Sequence, residues 1–408
     1  FGHRTRLAYD RNVIDLRQTS ILYHPCIGNN YHNMNRCHVT LVTLAMTAIA
    51  LVGMFTTCFV DVDDHLSTYA VFPEEQPVNT LRAIIVGDTG GLPVYPYYTY
   101  AQTKVAGAMT DLAMRKNVQF VINVGDNFYF TGVSNEYDKR FEATFEDIYS
   151  TDALQVPWYT VAGNHDHFGN VSAQLVYTKY SRKWRFPNLY YKLSFRVNGT
   201  IVDILMLDTV MLCGNTADVE NGGLLDLLWN GSHDPKGPGD FNRADHQWKW
   251  IKSHLNASSA DYLFILGHYP IHSISSHGPT HCLVEKLDPL LKRYNVSAYF
   301  CGHDHTLQHI VYPGNANHLI HYVVSGAASR SDPSQKHLDS VPSENLKFHY
   351  PTSWNPLSQL GFSKGGFVYM EIDEHRAELV FLNSKGEELY RTSIDRRSID
   401  STKQFSDS

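Results

Sequence analysis

The sequence predicts an α/β fold of two stacked mixed β-sheets flanked by helices, and three observations lead there. From Leu81 to about Cys301, short apolar β-prone runs alternate with longer stretches of helical periodicity. From Gly366 onward, three further strand-like runs follow one another with no helix between them. Five of the apolar runs end in Gly followed by a polar, metal-capable side chain, so one edge of the sheets collects the chemistry.

In chain order, Leu81–Val86 reads as a strand and Tyr100–Lys116 as a helix, with Val105, Met109, Leu112 and Met114 near helical spacing. Val118–Val124 is a buried strand, Tyr137–Tyr149 a helix and Pro157–Ala162 a strand. Leu189–Phe195 and Thr200–Leu207 form a hairpin about Val197-Asn198-Gly199. Asn242–Leu255 is amphipathic, with Trp248, Ile251 and Leu255 on one face. Tyr262–Leu266, Ala298–Cys301 and Tyr322–Ser325 are strands, and Leu283–Tyr294 is a helix with Pro289 near its first turn. Gly366–Ile372, Ala377–Leu382 and Glu388–Thr392 are the late strands. Two segments, 215–241 and 329–363, read as long loops, a length that signals function or disorder. The tail at 396–408 is polar.

The 408 residues can bury a large core. A net charge of −7 gives no basic field for a nucleic-acid partner. Residues 1–33 are polar and aperiodic and are expected to be an atypical or disordered extension. Within 34–60, Arg36 precedes an uncharged run at 39–60, and Asp61-Val62-Asp63-Asp64 follows. That is the pattern of a signal peptide, or, if uncleaved, of a signal anchor that leaves the body outside the cytosol. Residues 61–80 then form a linker to a catalytic domain at 81–395. Five sequons, at Asn170, Asn198, Asn230, Asn256 and Asn295, fit glycosylation on such a route. Of six cysteines none forms a C-x-x-C pair. In an oxidising compartment Cys213 and Cys282 are expected to pair, leaving Cys301 as a buried thiol on a strand.

The strand ends carry the chemistry. They read Gly87-Asp88-Thr89-Gly90, Gly125-Asp126-Asn127-Phe128-Tyr129, Gly163-Asn164-His165-Asp166, Gly267-His268-Tyr269-Pro270 and Gly302-His303-Asp304-His305. Carboxylates, an amide oxygen, a phenol and imidazoles make a mixed oxygen and nitrogen donor set. Hard oxygens with a tyrosinate favour a trivalent ion such as iron, and imidazoles with an amide oxygen suit a divalent one. His303 and His305, two apart on extended backbone, are expected to point the same way. A carboxylate between two ions can bridge them, as a two-metal hydrolase requires.

These blocks resemble the metallophosphoesterase signature, and their details resemble the purple acid phosphatases. Most of that superfamily carries His two residues after the first Asp, where this chain has Gly90, and lacks a Tyr at the place of Tyr129. The runs Gly125–Val133, Gly267–Pro270 and His277–Leu283 are similar to the small animal, tartrate-resistant type. Thr89 stands where mammalian members carry Trp, which should alter packing beside the site and not ligation. The resemblance runs from about Leu81 to Thr392 and implies a four-layer metallophosphoesterase-like sandwich with two ions per subunit. It implies Fe(III) on Asp88, Asp126, Tyr129 and His305. It implies Fe(II) or Zn(II) on Asp126, Asn164, His268 and His303, with Asp126 as the bridge. His165 and His277 would be the catalytic histidines facing the substrate phosphate, one of them protonating the leaving group.

The activity implied is hydrolysis of phosphate monoesters, phosphoproteins and nucleotides among them, by metal-hydroxide attack in a secreted or lysosomal acid phosphatase. Phosphate-like oxyanions would inhibit, and a protease cutting the 215–241 loop would activate. A phosphodiesterase or nucleotidase of the same superfamily, or a secreted iron protein with redox chemistry, are the alternatives. The two candidate acid histidines favour hydrolysis, since metal carriage needs neither.

Overall fold

The computed structural model describes residues 79–216, 233–315, 318–353 and 355–397. The extension 1–33, the export segment 34–60, the linker up to 78, Asn230, the interior of the 215–241 loop and the tail from 398 lie outside the described residues.

The chain opens with β1 (Leu81–Val86), α1 (Tyr100–Lys116), β2 (Phe120–Asn123), β3 (Trp158–Thr160), α2 (Asn164–His167), α3 (Val171–Tyr177) and β4 (Trp184–Arg185). A hairpin of β5 (Tyr191–Val197) and β6 (Thr200–Met206) follows, then α4 (Thr209–Cys213), α5 (Phe241–Ala257) and β7 (Tyr262–Leu266). Next come α6 (His281–Lys286), α7 (Asp288–Arg293), β8 (Ala298–Cys301), β9 (Leu307–Pro313), β10 (Leu319–Ser325) and β11 (Leu346–Tyr350). The chain closes with β12 (Gly366–Ile372), β13 (Ala377–Asn383) and β14 (Glu388–Ile394).

The strands form two seven-stranded mixed sheets, ordered β14-β13-β12-β1-β2-β3-β4 and β11-β9-β10-β8-β7-β6-β5. In the first, β1 to β4 run parallel and β12 returns antiparallel to β1. In the second, β6, β7, β8 and β10 run parallel inside antiparallel edges. Alternation along the strands separates the layers. Ile204, Phe264 and Phe300 join Ile85, Val121 and Val323 in a core cluster shared by both sheets. Their neighbours Leu205, Ile265 and Cys301 turn to the opposite face and pack with Trp248, Ile251 and Leu255 of α5 and Leu283 and Leu287. Val105, Met109 and Leu112 of α1 join the shared cluster from the first sheet's outer side. The result is the expected two-sheet sandwich with helices outside.

Local signals set the helix ends. Thr99 and Gln102 form a reciprocal cap on α1, and Asn117 closes it in left-handed geometry at φ 53°. The Asp240 carboxylate caps α5 by accepting from the Asn242 and Arg243 amides at 2.9 and 3.1 Å. The β5–β6 turn places Asn198 and Gly199 at φ 45° and 82°, as a tight hairpin turn requires.

Several expectations need correction. The helix read over Leu283–Tyr294 is two helices meeting at Leu287, because Pro289 lacks the N–H that a continuous helix would use. The helix read over Tyr137–Tyr149 is one wide-pitched turn, Phe141–Glu146. The 329–363 loop contains β11, which pairs with β9; the sequence reading passed over both of these strands, and β4 as well. The body also extends past 395: the Arg397 guanidinium donates to the Asn295, Ala260 and Tyr294 carbonyls at 3.0, 3.0 and 2.9 Å. Cys213 and Cys282 are disulfide-bonded and Cys301 is a buried free thiol. Asn170, Asn198 and Asn256 are exposed and Asn295 is half-buried. No helix among the described residues is long and apolar enough to cross a membrane.

Candidate metal centre

Parallel strands that end together bring five loops to one edge. β1, β2 and β3 of the first sheet deliver Asp88, Asp126 with Tyr129, and Asn164 with His165. β7 and β8 of the second deliver His268, and His303 with His305. Asp88, Asp126 and His303 have left-handed backbones, at φ 59°, 53° and 68°. Non-glycine residues rarely adopt that geometry, and they cluster at functional sites. The glycines beside them provide clearance. A Cβ on Gly163 would meet the Asp126 carboxylate, and one on Gly302 would meet that of Asp88.

Two groups of donors converge. In the first, Asp126, His268 and His303 offer ligand atoms that all lie within 4.8 Å of one another. The His268 Nδ1–H donates to the Val124 carbonyl at 2.9 Å. Its Nε2 therefore turns a lone pair toward Asp126 Oδ1 at 3.3 Å and Asn164 Oδ1 at 3.1 Å. Acceptors that face each other in this way need a proton or a cation between them. In the second group, the Tyr129 hydroxyl donates to Asp88 Oδ1 at 2.7 Å and lies 2.8 Å from His305 Nε2. Asp88 Oδ1 is 3.5 Å from that same nitrogen.

His303 and His305 thus serve different groups. The expected extended backbone between them is not there, because the left-handed turn at His303 separates their directions. His277 lies over both, its ring centroid 4.2 Å from that of His303 and 6.4 Å from that of His305. His165 flanks the other side. Its Nδ1 donates to the Phe130 carbonyl at 2.7 Å, so Nε2 faces the cluster, 3.9 Å from Asp126 Oδ2. All nine candidate residues therefore come together.

Burial dominates the electrostatics. It pushes the Asp88 carboxyl up to about 7, helped by the charge of Asp126 and opposed by His268. Burial is the largest influence on Asp126 too, but the charges of His268 and His165 and the hydrogen bonds from both together overcome it and hold that carboxyl below the usual range. Burial lowers His268, yet Asp126 beside it carries the imidazole up to about 9. His303 is held well below its ordinary value by burial and His277. His305 falls to about 3 through burial and Arg330. Burial and Asp88 raise the Tyr129 phenol well above 10. The neutral imidazoles of His303 and His305, with open lone pairs, suit a metal, His268 can exchange its proton for one, and a phenol so reluctant to ionise needs a strong Lewis acid to take its proton's place. The donor set fits two cations.

Three residues that sequence reasoning passed over support this arrangement. The buried Asp166 carboxylate accepts from the Asn127, Phe128 and Gly163 amides at 3.1, 3.2 and 2.8 Å and from the side chains of Asn127 and Gln174 at 3.1 and 2.8 Å. It clamps the Asp126 loop to the Asn164 loop. Asp304 Oδ1 accepts from the His277 amide at 2.9 Å, and Oδ2 accepts from the Ser273 hydroxyl. It fixes the His277 loop. Arg330 lies over the Tyr129 ring. The signal for the first two was present, since Asp304 stands between His303 and His305 and Asp166 directly follows Asn164 and His165. Thr89, buried, accepts from the Asn123 amide side chain at 3.0 Å. A Cβ on Gly90 would meet the Tyr129 nitrogen at 2.5 Å, so a side chain at 90 and Tyr129 as placed exclude each other. A cavity of about 320 Å³ lies beside α2, lined by His167, Met211, Asn215 and Arg243 among others but by none of the nine candidates; it is a neighbour of the cluster and not its cleft.

Residues 81–307 match the calcineurin-like phosphoesterase family. Tartrate-resistant acid phosphatase type 5 of Mus musculus is 44% identical over 324 residues, spanning 79% of this chain and 92% of that protein. The Homo sapiens protein of the same name is 43% identical, spanning 78% and 91%. Purple acid phosphatase 17 of Arabidopsis thaliana is 28% identical, spanning 88% and 96%. Among solved structures, GAP50 of Plasmodium has a TM-score of 0.61 at 23% identity, spanning 78% of this chain and 90% of that one. A purple acid phosphatase from yellow lupin seeds has 0.52 at 16%, spanning 78% and 55%, and both likenesses are of fold. Fold, loop chemistry and relatives agree, and the chain belongs to the calcineurin-like phosphoesterase family and, within it, to the purple acid phosphatases of the animal tartrate-resistant type.

Proposed function

We propose that this chain is an acid phosphatase that hydrolyses phosphate monoesters at a dinuclear centre. Asp88, Asp126, Tyr129 and His305 would hold Fe(III). Asp126, Asn164, His268 and His303 would hold a divalent iron or zinc, with Asp126 shared. When bound, such a pair neutralises phosphate oxygens and lowers the pKa of water enough to supply a nucleophile in acid. The protein's own side chains do the rest. His165 Nε2 and the His277 ring flank the cluster from two sides, where they bind the phosphate and carry the proton that the leaving alkoxide needs. Asp304 holds the His277 backbone, and Asp166 holds the loops bearing Asp126 and Asn164. The observation that carries this reading is the convergence of lone pairs from Asp126, Asn164 and His268 in a buried site.

The export segment at 34–60, glycans on the exposed Asn170, Asn198 and Asn256, and the Cys213–Cys282 disulfide support a secreted or lysosomal destination. Cutting within the 215–241 loop is proposed to raise turnover. The test of function is an assay of p-nitrophenyl phosphate against bis(p-nitrophenyl) phosphate near pH 5, with metal analysis of the same sample. Preferential hydrolysis of the monoester by protein carrying two ions is expected. Preference for the diester would make the chain a phosphodiesterase, and full metal without hydrolysis of either would favour redox chemistry.

A further inference from the structure

Arg330 has no part in the ligand set, yet it is only 3% exposed. Its guanidinium carbon sits 4.3 Å from the centroid of the Tyr129 ring and 5.0 Å from that of Phe130. Nη2 donates to the Gly91 carbonyl at 2.9 Å, and Nε is buried with no hydrogen-bond partner. Among the described residues no carboxylate forms an ion pair with this cation, although Asp88 and Asp126 act on it from farther off. A buried charge without a close partner is costly, and an aromatic ring beneath it offsets only part of that cost. A phenolate bound to a metal would offset more, because it adds negative charge to the ring system beneath the cation. The cation is therefore placed directly over the ring of the residue proposed to donate to the iron.

We infer that Arg330 is a positioning residue that stabilises the phenolate of Tyr129 and tunes its donation to the iron. This rests on the proposed reading of Tyr129 as a ferric ligand. A positive charge over the ring lowers the energy of the phenolate's donor electrons. The energy needed to move an electron from ring to iron rises, so the visible charge-transfer band lies at shorter wavelength than it would without Arg330. The weaker donation also leaves the ferric ion easier to reduce.

The test is the visible spectrum of the metal-loaded protein with Arg330→Met, Arg330→Gln and Arg330→Lys. Replacing a buried charge by an apolar side chain of similar length is often neutral for stability, so the Met variant is expected to fold. Iron content and thermal unfolding are measured on each sample. The band is expected to move to longer wavelength in the Met and Gln variants and to return toward the wild-type position in Lys, at unchanged iron content. A band at one wavelength in wild type and Met, or an equal shift in Met and Lys, would overturn the inference and leave the ligand assignment standing. A wild-type protein with full iron and no such band would remove the ligand assignment itself, and the inference with it.

Discussion

Asp166→Asn isolates the clamp between the two ligand loops. Oδ2 of Asp166 accepts three hydrogen bonds, from the Asn127 and Gly163 amides and the Asn127 side chain. Oδ1 accepts two, from the Phe128 amide and Gln174. Asparagine keeps one oxygen and turns an NH2 toward the remaining N–H groups, so in either orientation at least two bonds are lost. At about 1.5–3 kcal/mol for each hydrogen bond to a charged group, the loss is about 3–6 kcal/mol. A neutral amide also escapes the burial that pushes the Asp166 carboxyl up to about 6, which trims the loss toward its lower end. The comparison belongs at pH 7, where the wild-type carboxyl is ionised. For a domain of this size about 3–4 kcal/mol lowers Tm by roughly 4–6 °C. Metal retention after dialysis should fall with it, because the clamped loops carry Asp126 and Asn164. Thermal unfolding and iron analysis together form the assay. A Tm within about 1 °C of wild type, with both ions retained, would show that the carboxylate does not organise these loops.

Tyr129→Phe should fold and lose the visible band; a purple Phe variant would exclude this phenol as the iron's donor. His277→Ala should keep its metals and lose roughly 100-fold or more in kcat on alkyl phosphates, less on p-nitrophenyl phosphate, whose leaving group needs no proton. Equal losses on both substrates would assign His277 to binding and not to proton transfer. Asp304→Asn should lower kcat by about 10–100-fold through misplacement of the His277 loop, with metal content unchanged; wild-type kcat in this variant would free the loop from Asp304. His167 Nε2 lies 2.8 Å from Asp208 Oδ2, and although burial opposes it, that carboxylate raises the imidazole above its ordinary value. A raised pKa stabilises the fold below about pH 6.5 and the effect fades as pH rises through the folded value. His167→Gln should therefore cost more stability in urea unfolding at pH 5 than at pH 9, and an equal cost at both would contradict the pairing.

The sequence made the strands legible where both faces are buried, as in Leu81–Val86 and Tyr262–Leu266, because a continuous apolar run admits few other readings. The ligand blocks were legible because a polar residue after such a run, with Gly before it, has no role in a core. Edge and half-buried elements were not, and neither was the largely buried β9, whose apolar run is broken by Gln308 and His309. β11 mixes Lys347 and His349 with Leu346 and Phe348, and only its pairing with β9 makes it a strand. The left-handed turn at His303 was also hidden, since tertiary packing and not the local sequence imposes it. Asp166 and Asp304 act on amides 27 to 39 residues away in the chain. Arg330 reaches Gly91 across 239. No local pattern encodes a contact at that separation.

Neither sheet holds all of the proposed ligands. Asp88, Asp126, Tyr129 and Asn164 come from one sheet and His268, His303 and His305 from the other, and the bonds His303 N–H to Asp88 and His268 Nδ1–H to Val124 cross between them. The centre can therefore exist only after the two halves of the molecule have met in register. A chain that folded one sheet early would bind neither ion as the finished protein does, and so would hold no reactive metal while still incomplete. Colour, appearing during refolding in the presence of iron, would then mark the moment at which the halves join.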